Sequence, residues 1–412
     1  MRNTSSIKEK IICFLNKWEN KTLPSKELVF DYIPLAKDLM FSDVDLILRT
    51  TNLLSENIKK WALEKSPVYK KEKDYFCKLD LTQKENWYVP EMLSESANMA
   101  TSGSTSGEKF EYLRWDRFLP QIEGENHYDA ILEEFGIENP KVANMFVTSL
   151  TKENLAYEIK SENFMQHHGF HFNAKVYVIY KTKKYYENKN EYFYDLIEYF
   201  ENNPADVILT CGPMINSLVY HIKRKKSCKK ITSLLSNTCE YMFKEDANYL
   251  KENKIISRWC DHMRCWDGGA GFFTCKHGIY HLMDNLSFCE EIDGKLISTD
   301  YFSFTSPFVK YWNGDLCRIK NEYERCMCGR AFRPFLFLEN RPFSIKGKCI
   351  SEFQEKIKKS GIIGIKQMKC SNSHIEVVCK WELNKKEKET IISIMNGFKI
   401  DFTIEENYER RC

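Results

Sequence analysis

The chain has 412 residues, 43% of them hydrophobic, and a formal net charge of +3. Its length suggests two or three domains, and its apolar content excludes wholesale disorder. The balance of 61 Lys and Arg against 58 Asp and Glu argues against a dedicated nucleic-acid binder. The sequence has no apolar run of about 18 residues to span a membrane, and its first thirty residues lack a signal-peptide core. We expect a cytoplasmic protein with reduced thiols, no nucleic-acid partner and no membrane association.

The N-terminal part predicts helices. Residues 5–64 carry apolar side chains at helical spacing, among them Ile11, Leu15 and Trp18. We therefore expect residues 1–95 to form a helical N-terminal part. Within it, residues 65–91 are charged and aromatic, and they predict a connection on the surface.

The middle of the chain alternates between strand and helix patterns. This alternation predicts an α/β domain with a mainly parallel sheet. The predicted strands are 142–150, 175–180, 206–211, 278–282 and 296–300, and the helices between them include 192–202 and 214–225.

After Arg341 the pattern changes to that of a small α+β domain. Helices are predicted at 351–360 and 385–397, and strands at 365–370, 375–381 and 399–404. We place the boundary near 341–347, which gives a large domain over 1–341 and a small one over 342–412.

The densest run of glycines and hydroxyls is Thr101-Ser-Gly-Ser-Thr-Ser-Gly107-Glu-Lys109. Glycines let a backbone approach an anion closely, and successive N–H groups with hydroxyls can surround a phosphate. Lys109 adds positive charge. The pattern differs from a Walker loop in the position of its lysine. It fits either a phosphate-binding loop or a flexible linker.

Sixteen cysteines are many for a chain of this kind, and four Cys and His residues stand out among the rest. Cys275 and His281, together with Cys326 and Cys328, give three thiols and one imidazole, the donor set of a closed tetrahedral structural zinc site. The alternative is that these are core thiols and a hydrogen-bonded strand histidine. The reserve ligands are Cys260, Cys265 and His277.

Two regions together resemble a known superfamily. The loop at 101–109 resembles the triphosphate loop of the adenylate-forming enzymes, which include the acyl-CoA synthetases. A downstream series then resembles the branch of phenylacetate–CoA ligase, coenzyme F390 synthetase and the acyl-protein synthetase of bacterial luciferase systems. The series consists of Cys275-Lys-His-Gly-Ile-Tyr-His281, Asp284, Glu290-Glu-Ile292, Leu296-Ile-Ser-Thr299, Gly314-Asp315, Cys326-Met-Cys-Gly-Arg330 and Asn340-Arg341. The resemblance covers residues 100–341 in order, and some relatives carry a zinc site where the Cys and His segments meet.

This resemblance implies a fold and an activity. The fold is a large multi-sheet adenylation domain followed by a small α+β domain. The activity is that of an ATP- and Mg²⁺-dependent ligase, which joins a small-molecule carboxylate to AMP, releases pyrophosphate and passes the acyl group to coenzyme A or a carrier protein. An amine or hydroxyl acceptor is the alternative, as is a degenerate member that binds nucleotide without turnover. We expect a monomer or a homodimer.

The resemblance also assigns roles to single residues. Asp315 binds the ribose, Asp267 helps to hold Mg²⁺, and Arg341 approaches the ribose or phosphates from the hinge. Glu240 occupies an acidic position of the branch, and Trp266 lies near the adenine. The loop grips the β- and γ-phosphates through Thr101, Ser102, Gly103, Ser104, Thr105, Ser106, Gly107 and Lys109.

Several positions depart from the family pattern. Met263-Arg-Cys-Trp-Asp267 lacks the adenine-stacking tyrosine, and Asn340 replaces the hinge glycine. The small-domain lysine of the family has no secure match, so Lys346 and Lys348 are only candidates. These changes favour a non-standard second step.

Two further runs leave alternatives open. Lys223-Arg-Lys-Lys-Ser-Cys-Lys-Lys230 fits a solvated helix end or an anion-binding patch. His167-His-Gly-Phe-His171 fits the wall of an acyl pocket or ordinary packing.

Overall fold

The computed structural model describes residues 4–19, 26–77, 80–81, 84–100, 111–114, 128–145, 154–159, 175–225, 229–238, 244–264, 268–338, 344–345, 348–349, 356–357, 360–362, 365–371, 374–379, 382–395 and 398–404. It divides into two compact units. One comprises Met1–Pro140, Ile159–Lys175 and Cys260–Phe337, and the other comprises Lys141–Glu158, Val176–Trp259 and Leu338–Cys412.

The described helices are α1 (Thr4–Glu19), α2 (Lys26–Leu39), α3 (Val44–Lys65), α4 (Lys84–Trp87), α5 (128–135), α6 (Lys183–Glu187), α7 (Lys189–Asn202), α8 (Gly212–Lys225), α9 (Lys244–Glu252) and α10 (Lys385–Ile394). The described strands are β1 (Phe76–Cys77), β2 (Ala97–Ala100), β3 (Glu111–Arg114), β4 (Lys141–Asn144), β5 (Ala156–Ile159), β6 (Lys175–Ile179), β7 (Ala205–Cys211), β8 (Thr232–Thr238), β9 (Ile256–Arg264), β10 (Gly271–Thr274), β11 (Tyr280–Leu282), β12 (Ser287–Ile292), β13 (Lys295–Asp300), β14 (Tyr311–Ile319), β15 (Glu324–Arg325), β16 (Ala331–Phe332), β17 (Phe335–Leu338), β18 (Ser344–Ile345), β19 (Lys348–Cys349), β20 (Ile365–Ser371), β21 (His374–Cys379) and β22 (Lys399–Ile404).

The first unit begins with three helices, α1 to α3. Ile11, Leu15 and Trp18 recur every three or four residues, so they share one face of α1, and that face is fully buried. The helix α3 ends at Lys65, two residues before Pro67, which disfavours helical geometry in the residue before it. The helices predicted over residues 5–64 are therefore confirmed over the described part of that range.

The prediction that residues 65–91 form a surface connection is wrong. Tyr69, Trp87 and Val89 are buried. The Trp87 indole donates a hydrogen bond to the Pro307 carbonyl (2.7 Å), and the Val89 amide donates one to the Thr305 carbonyl (3.0 Å). The charged residues of the segment conceal this burial in the sequence, because the aromatic rings and the lysines point in different directions.

The main sheet of the first unit has the order β1-β14-β13-β12, and β17 also pairs with β14. A two-residue turn, Asp293-Gly294, joins β12 to β13. Both turn residues have positive φ angles (52° and 76°), which a primed hairpin turn requires. A second, antiparallel arrangement, β9-β10-β11, aligns Phe273 with both His262 and His281.

The second unit contains parallel strands with helices between them. β7 pairs in parallel with β4 on one side and with β8 on the other. Ile208 of β7 aligns with Ala143 of β4 and Leu235 of β8, and all three join one core with Leu196 of α7 and Leu218 of α8. The predicted α/β alternation is confirmed in this unit.

The C-terminal residues form the predicted small α+β arrangement. The sheet order is β20-β21-β22, with β21 antiparallel to β20 and parallel to β22. α10 begins with a capping box, in which Asn384 and Glu387 each accept a hydrogen bond from the other's backbone amide. Ile391 of α10 packs with Ile375 and Val377 in a core of its own. The boundary at 341/342 lies outside the described residues and stays a prediction.

Candidate metal centre and nucleotide-binding segments

The four predicted metal ligands come together in the first unit. The ligand atoms of Cys275, His281, Cys326 and Cys328 all lie within 4.8 Å of one another. The Sγ atoms of Cys275 and Cys326 are 3.9 Å apart, and Cys328 Sγ lies 3.6 Å from His281 Nε2. Cys275 and Cys326 are 51 positions apart in sequence, so only the fold could create this cluster.

Two turns of the same form carry the thiols. In the first, the Gly278 amide donates to the Cys275 carbonyl (2.8 Å); in the second, the Gly329 amide donates to the Cys326 carbonyl (2.9 Å). Both glycines have positive φ angles, +74° and +91°. Each Cys-x-x-Gly sequence therefore folds back on itself, because glycine adopts this backbone conformation without a steric penalty.

Backbone N–H groups point at the sulfurs of both turns. The His277 amide lies 3.4 Å from Cys275 Sγ, and the Cys328 amide lies 3.5 Å from Cys326 Sγ. Hydrogen bonds of this kind favour the charged form of the acceptor. The turns thus present their sulfurs in a setting suited to thiolates, which are the metal-binding form of cysteine.

His281 enters the cluster from β11, where its neighbours hold the ring. The imidazole stacks on Phe273 of β10 (centroids 5.7 Å apart) and packs against Phe332 (5.1 Å). Its Nε2 atom points at Cys328, and its Nδ1 atom has no hydrogen-bond partner among the described residues. The ring is thus fixed by packing, with Nε2 as the available ligand atom.

Close contact separates the thiol pKa values. The hydrogen bond from Cys275, helped by His281, lowers the pKa of Cys328 despite its burial. The same hydrogen bond, with burial, raises the pKa of Cys275, and burial raises that of Cys326. The pKa values of Cys328 and Cys275 thus shift in opposite directions, since three adjacent thiolates repel one another unless a cation compensates them.

The geometry fits zinc. A regular tetrahedron with Zn–S bonds of about 2.3 Å and a Zn–N bond of about 2.0 Å has S···S edges near ~3.8 Å and S···N edges near ~3.5 Å. Two edges of the cluster match these lengths, the S···S edge between Cys275 and Cys326 at 3.9 Å and the S···N edge between Cys328 and His281 at 3.6 Å. Three sulfurs and one imidazole nitrogen are also a donor set that zinc prefers.

A buried carboxylate connects the two turns. Glu134 of α5 accepts a hydrogen bond from the Lys276 amide (3.2 Å), and its other oxygen accepts one from the Arg330 guanidinium. That guanidinium lies over the rings of Phe41 (4.7 Å) and Phe273 (5.2 Å). Glu134 therefore contacts both segments that bring candidate ligands to the cluster, although no pattern in the sequence marks it.

Two of the three reserve ligands, Cys260 and His277, do not join the cluster. Cys260 is fully buried, and its thiol donates to the Thr274 carbonyl (3.3 Å). Burial raises the pKa of this thiol to about 12, so it stays protonated at neutral pH. His277 is exposed, and Cys265 lies outside the described residues.

The predicted phosphate loop connects two paired strand ends. β2 and β3 are antiparallel, and Ala100 aligns with Glu111. The loop itself, with Thr101, Ser102, Gly103, Ser104, Thr105, Ser106, Gly107 and Lys109, lies outside the described residues. So do Glu240, Trp266, Asp267 and Arg341, together with Lys346 and the histidines at 167–171.

Asp315 is the one predicted nucleotide-binding residue within the described part of the chain. It lies in an irregular section of β14, where the pairing with β13 shifts between Trp312 and Leu316 and Gly314 has a φ angle of +100°. Its carboxylate accepts a hydrogen bond from Asn313 Nδ2 (2.8 Å), and its amide donates to Asn313 Oδ1 (2.9 Å). The side chain is therefore held firmly, with 4% of the residue exposed.

The turn after Asp267 accepts only glycine. Gly268 and Gly269 both have positive φ angles, +81° and +73°. A Cβ atom on Gly268 would lie 2.6 Å from Tyr311 Cδ1, and one on Gly269 would lie 2.9 Å from Asp300 Cγ. The backbone here is packed directly against the side chains of the main sheet.

The basic run near residue 225 contains several paired residues. Lys223 forms an ion pair with Asp246 and Lys225 one with Glu201, each at 2.6 Å. These contacts favour the solvated helix end over an anion-binding patch. In addition, none of the described helices is long and apolar enough to cross a membrane.

Comparison with known proteins shows that this chain shares the fold of solved CoA ligase structures, a large multi-sheet α/β part followed by a small α+β part. The particular solved structures include 2-hydroxyisobutyryl-CoA ligase in its postadenylation state with R3-HIB-AMP. That structure matches with a TM-score of 0.57 and 11% identity, over 90% of this chain and 88% of that chain. The same ligase with 2-HIB-AMP in the postadenylation state gives a TM-score of 0.56 at 12% identity, over 94% and 91%.

A third match is to the same ligase with 2-HIB-AMP and CoA in the thioesterification state. Its TM-score is 0.53 and its identity 12%, over 95% of this chain and 94% of that chain. No protein-family model and no curated protein matches the sequence. The likeness is therefore one of fold.

Proposed function

We propose that this protein is an AMP-forming carboxylate ligase. The observation that carries the proposal is the match in fold to 2-hydroxyisobutyryl-CoA ligase over nine-tenths of both chains. The loop between β2 and β3, the buried Asp315 and the glycine turn after Asp267 add support, because they occur in the order that the family resemblance requires.

The proposed reaction has two steps. A carboxylate oxygen attacks the α-phosphorus of ATP, and the bond to the bridging oxygen breaks and releases pyrophosphate. An acceptor thiolate then attacks the acyl carbon, and AMP leaves. In the first step the loop with Lys109 holds the β- and γ-phosphates, Asp267 helps to hold Mg²⁺, and Arg341 approaches from the hinge. Asp315 accepts hydrogen bonds from the ribose, and Glu240 and Trp266 border the nucleotide. The protein contributes to the rate mainly by positioning the reactants and by stabilising the negative charge of the phosphates.

The test of the first step is ATP–pyrophosphate exchange with a panel of carboxylates. We expect exchange with at least one acid. Asp315→Asn should lower kcat/KM for MgATP by about 10- to 100-fold, because a hydrogen bond to a charged group is lost. Asp293→Asn, in an exposed turn of the same sheet, is the matched control. Tight MgATP binding without exchange would support a nucleotide-binding member without turnover. The absence of both exchange and MgATP binding would refute the proposal.

We propose a thiol acceptor, coenzyme A or a carrier protein. The support is that 2-hydroxyisobutyryl-CoA ligase has been captured with CoA. Incubating the acyl-adenylate with coenzyme A, a carrier protein, and candidate amines and alcohols would identify the acceptor. Formation of an amide or ester, with no thioester, would contradict the proposal of a thiol acceptor. It would agree with the departure from the family pattern at Asn340.

We also propose that Cys275, His281, Cys326 and Cys328 hold a structural Zn²⁺. Purified protein should contain one zinc per chain by elemental analysis. Cys328→Ser should lose most of it, whereas Cys260→Ser, a buried thiol outside the cluster, should retain it. Replacement by Co²⁺ should give a thiolate charge-transfer band in the wild type and the control. Full zinc content in Cys328→Ser would contradict this assignment.

A further inference from the structure

The first unit contains a buried ion pair between two distant strands. Arg114 ends β3 and Asp300 ends β13, 186 positions later. Their side chains are 2% and 1% exposed, and the guanidinium donates to Asp300 Oδ2. The other carboxylate oxygen accepts from the Phe302 amide (3.0 Å). Both oxygens of Asp300 are thus engaged away from solvent.

The hairpin β2–β3, on either side of the proposed phosphate loop, makes further contacts with residues 305–308. The Leu113 amide donates to Ser306 Oγ (2.9 Å), and the rings of Tyr112 and Phe308 meet edge to face (5.2 Å). Before β2, the hydroxyl of Ser96 bonds that of Thr305 (2.8 Å). The base of the hairpin is therefore fixed to residues 300–308, and Arg114 supplies its buried charge.

Asp300 also contacts the turn that follows Asp267. The space beside Gly269 is filled by the Asp300 side chain, so closely that a Cβ atom there would lie 2.9 Å from its Cγ atom. Asp300 therefore contacts both β3, which follows the proposed phosphate loop, and the turn that follows Asp267, the proposed Mg²⁺-binding residue.

We propose that Asp300 and Arg114 are positioning residues of the nucleotide site. They hold β3, which follows the loop proposed to grip the β- and γ-phosphates, against Gly269 in the turn that follows the proposed Mg²⁺-binding residue Asp267. A buried ion pair gives little net stability over apolar packing, so its use here is to fix geometry. Displacement of a reacting group by about 1 Å can cost about 100-fold in rate. This inference rests on the proposed ligase function.

The test compares Asp300→Asn, Arg114→Gln and the double variant with the wild type. MgATP binding is measured by calorimetry, and exchange kinetics give separate constants for MgATP and the carboxylate. We expect each single variant to lower kcat/KM for MgATP by about tenfold or more. The carboxylate KM should stay unchanged. The double variant replaces the ion pair by two neutral side chains and leaves no unpaired charge. Its loss of kcat/KM should therefore be smaller than the sum of the losses of the single variants.

Asp284→Asn is the matched control. Asp284 forms a buried pair with Arg333, at 0% and 3% side-chain exposure, and its carboxylate accepts hydrogen bonds from Arg333 and Tyr323. It should lower the melting temperature without changing MgATP affinity. If Asp300→Asn behaves like this control, the inference is overturned while the ligase function stands. If the wild type neither binds MgATP nor catalyses exchange, both fail.

Discussion

At the scale of single residues, the sequence identified candidate metal ligands by residue type but did not mark two buried carboxylates that pair with distant arginines. Cys275, His281, Cys326 and Cys328 were recognisable because thiols and imidazoles in short clusters have few other uses together. Glu134 and Asp300 carried no such signal, since an acidic residue far from its basic partner looks like any surface charge. Only their burial reveals them.

Two glycines with the same backbone angle allow a prediction at this scale. Gly269 has a φ angle of +73° and no room for a side chain, whereas Gly294 has a φ angle of +76° and open space. Gly294→Ala should cost about 1–2 kcal/mol of unfolding free energy, the penalty of the left-handed conformation. Gly269→Ala should cost clearly more, because the clash with Asp300 adds to that penalty. Urea titration of both variants measures the difference in unfolding free energy. Equal losses would show that the side chains around Gly269 move aside to accommodate the added methyl group.

At the scale of elements, the periodic patterns were reliable where one face is buried. The helices over 5–64 and the strands β6, β7, β13, β20 and β22 lie within a residue or two of the predicted bounds. The segment 65–91 was misjudged, because its buried rings of Tyr69 and Trp87 are separated by lysines and glutamates without a regular period. The hairpin β2–β3 was missed, since its strands are only four residues long.

The connection between α5 and the two cysteine turns yields a prediction at this scale. Glu134→Ala leaves the Arg330 charge buried without its carboxylate, which should cost about 3–5 kcal/mol. Zinc affinity should fall by about 10- to 100-fold, the usual effect of removing a partner that supports metal ligands. Thermal unfolding and competition with a chelator measure the two effects.

The exposed neighbour Glu133 provides the control. Glu133→Ala should change zinc affinity little, because its side chain lies on the outer face of the same helix. Glu134→Gln keeps the size of the side chain but only one of its two acceptor oxygens, so its zinc affinity should fall between those of the other two variants. Unchanged zinc affinity in Glu134→Ala would mean that the turns hold the cluster without the helix.

At the scale of the whole molecule, the sequence by itself determined the fold class, because strand and helix periods follow directly from which residues are buried. It also determined the donor chemistry of the four candidate metal ligands, since donor atoms are properties of residue types. Only the tertiary structure decided that Cys275 and Cys326 lie 3.9 Å apart, and that the carboxylate of Asp300 links β3 to the turn after Asp267. These contacts join residues 51 and 186 positions apart, and pairings over such distances arise from the packing of whole strands rather than from any local pattern.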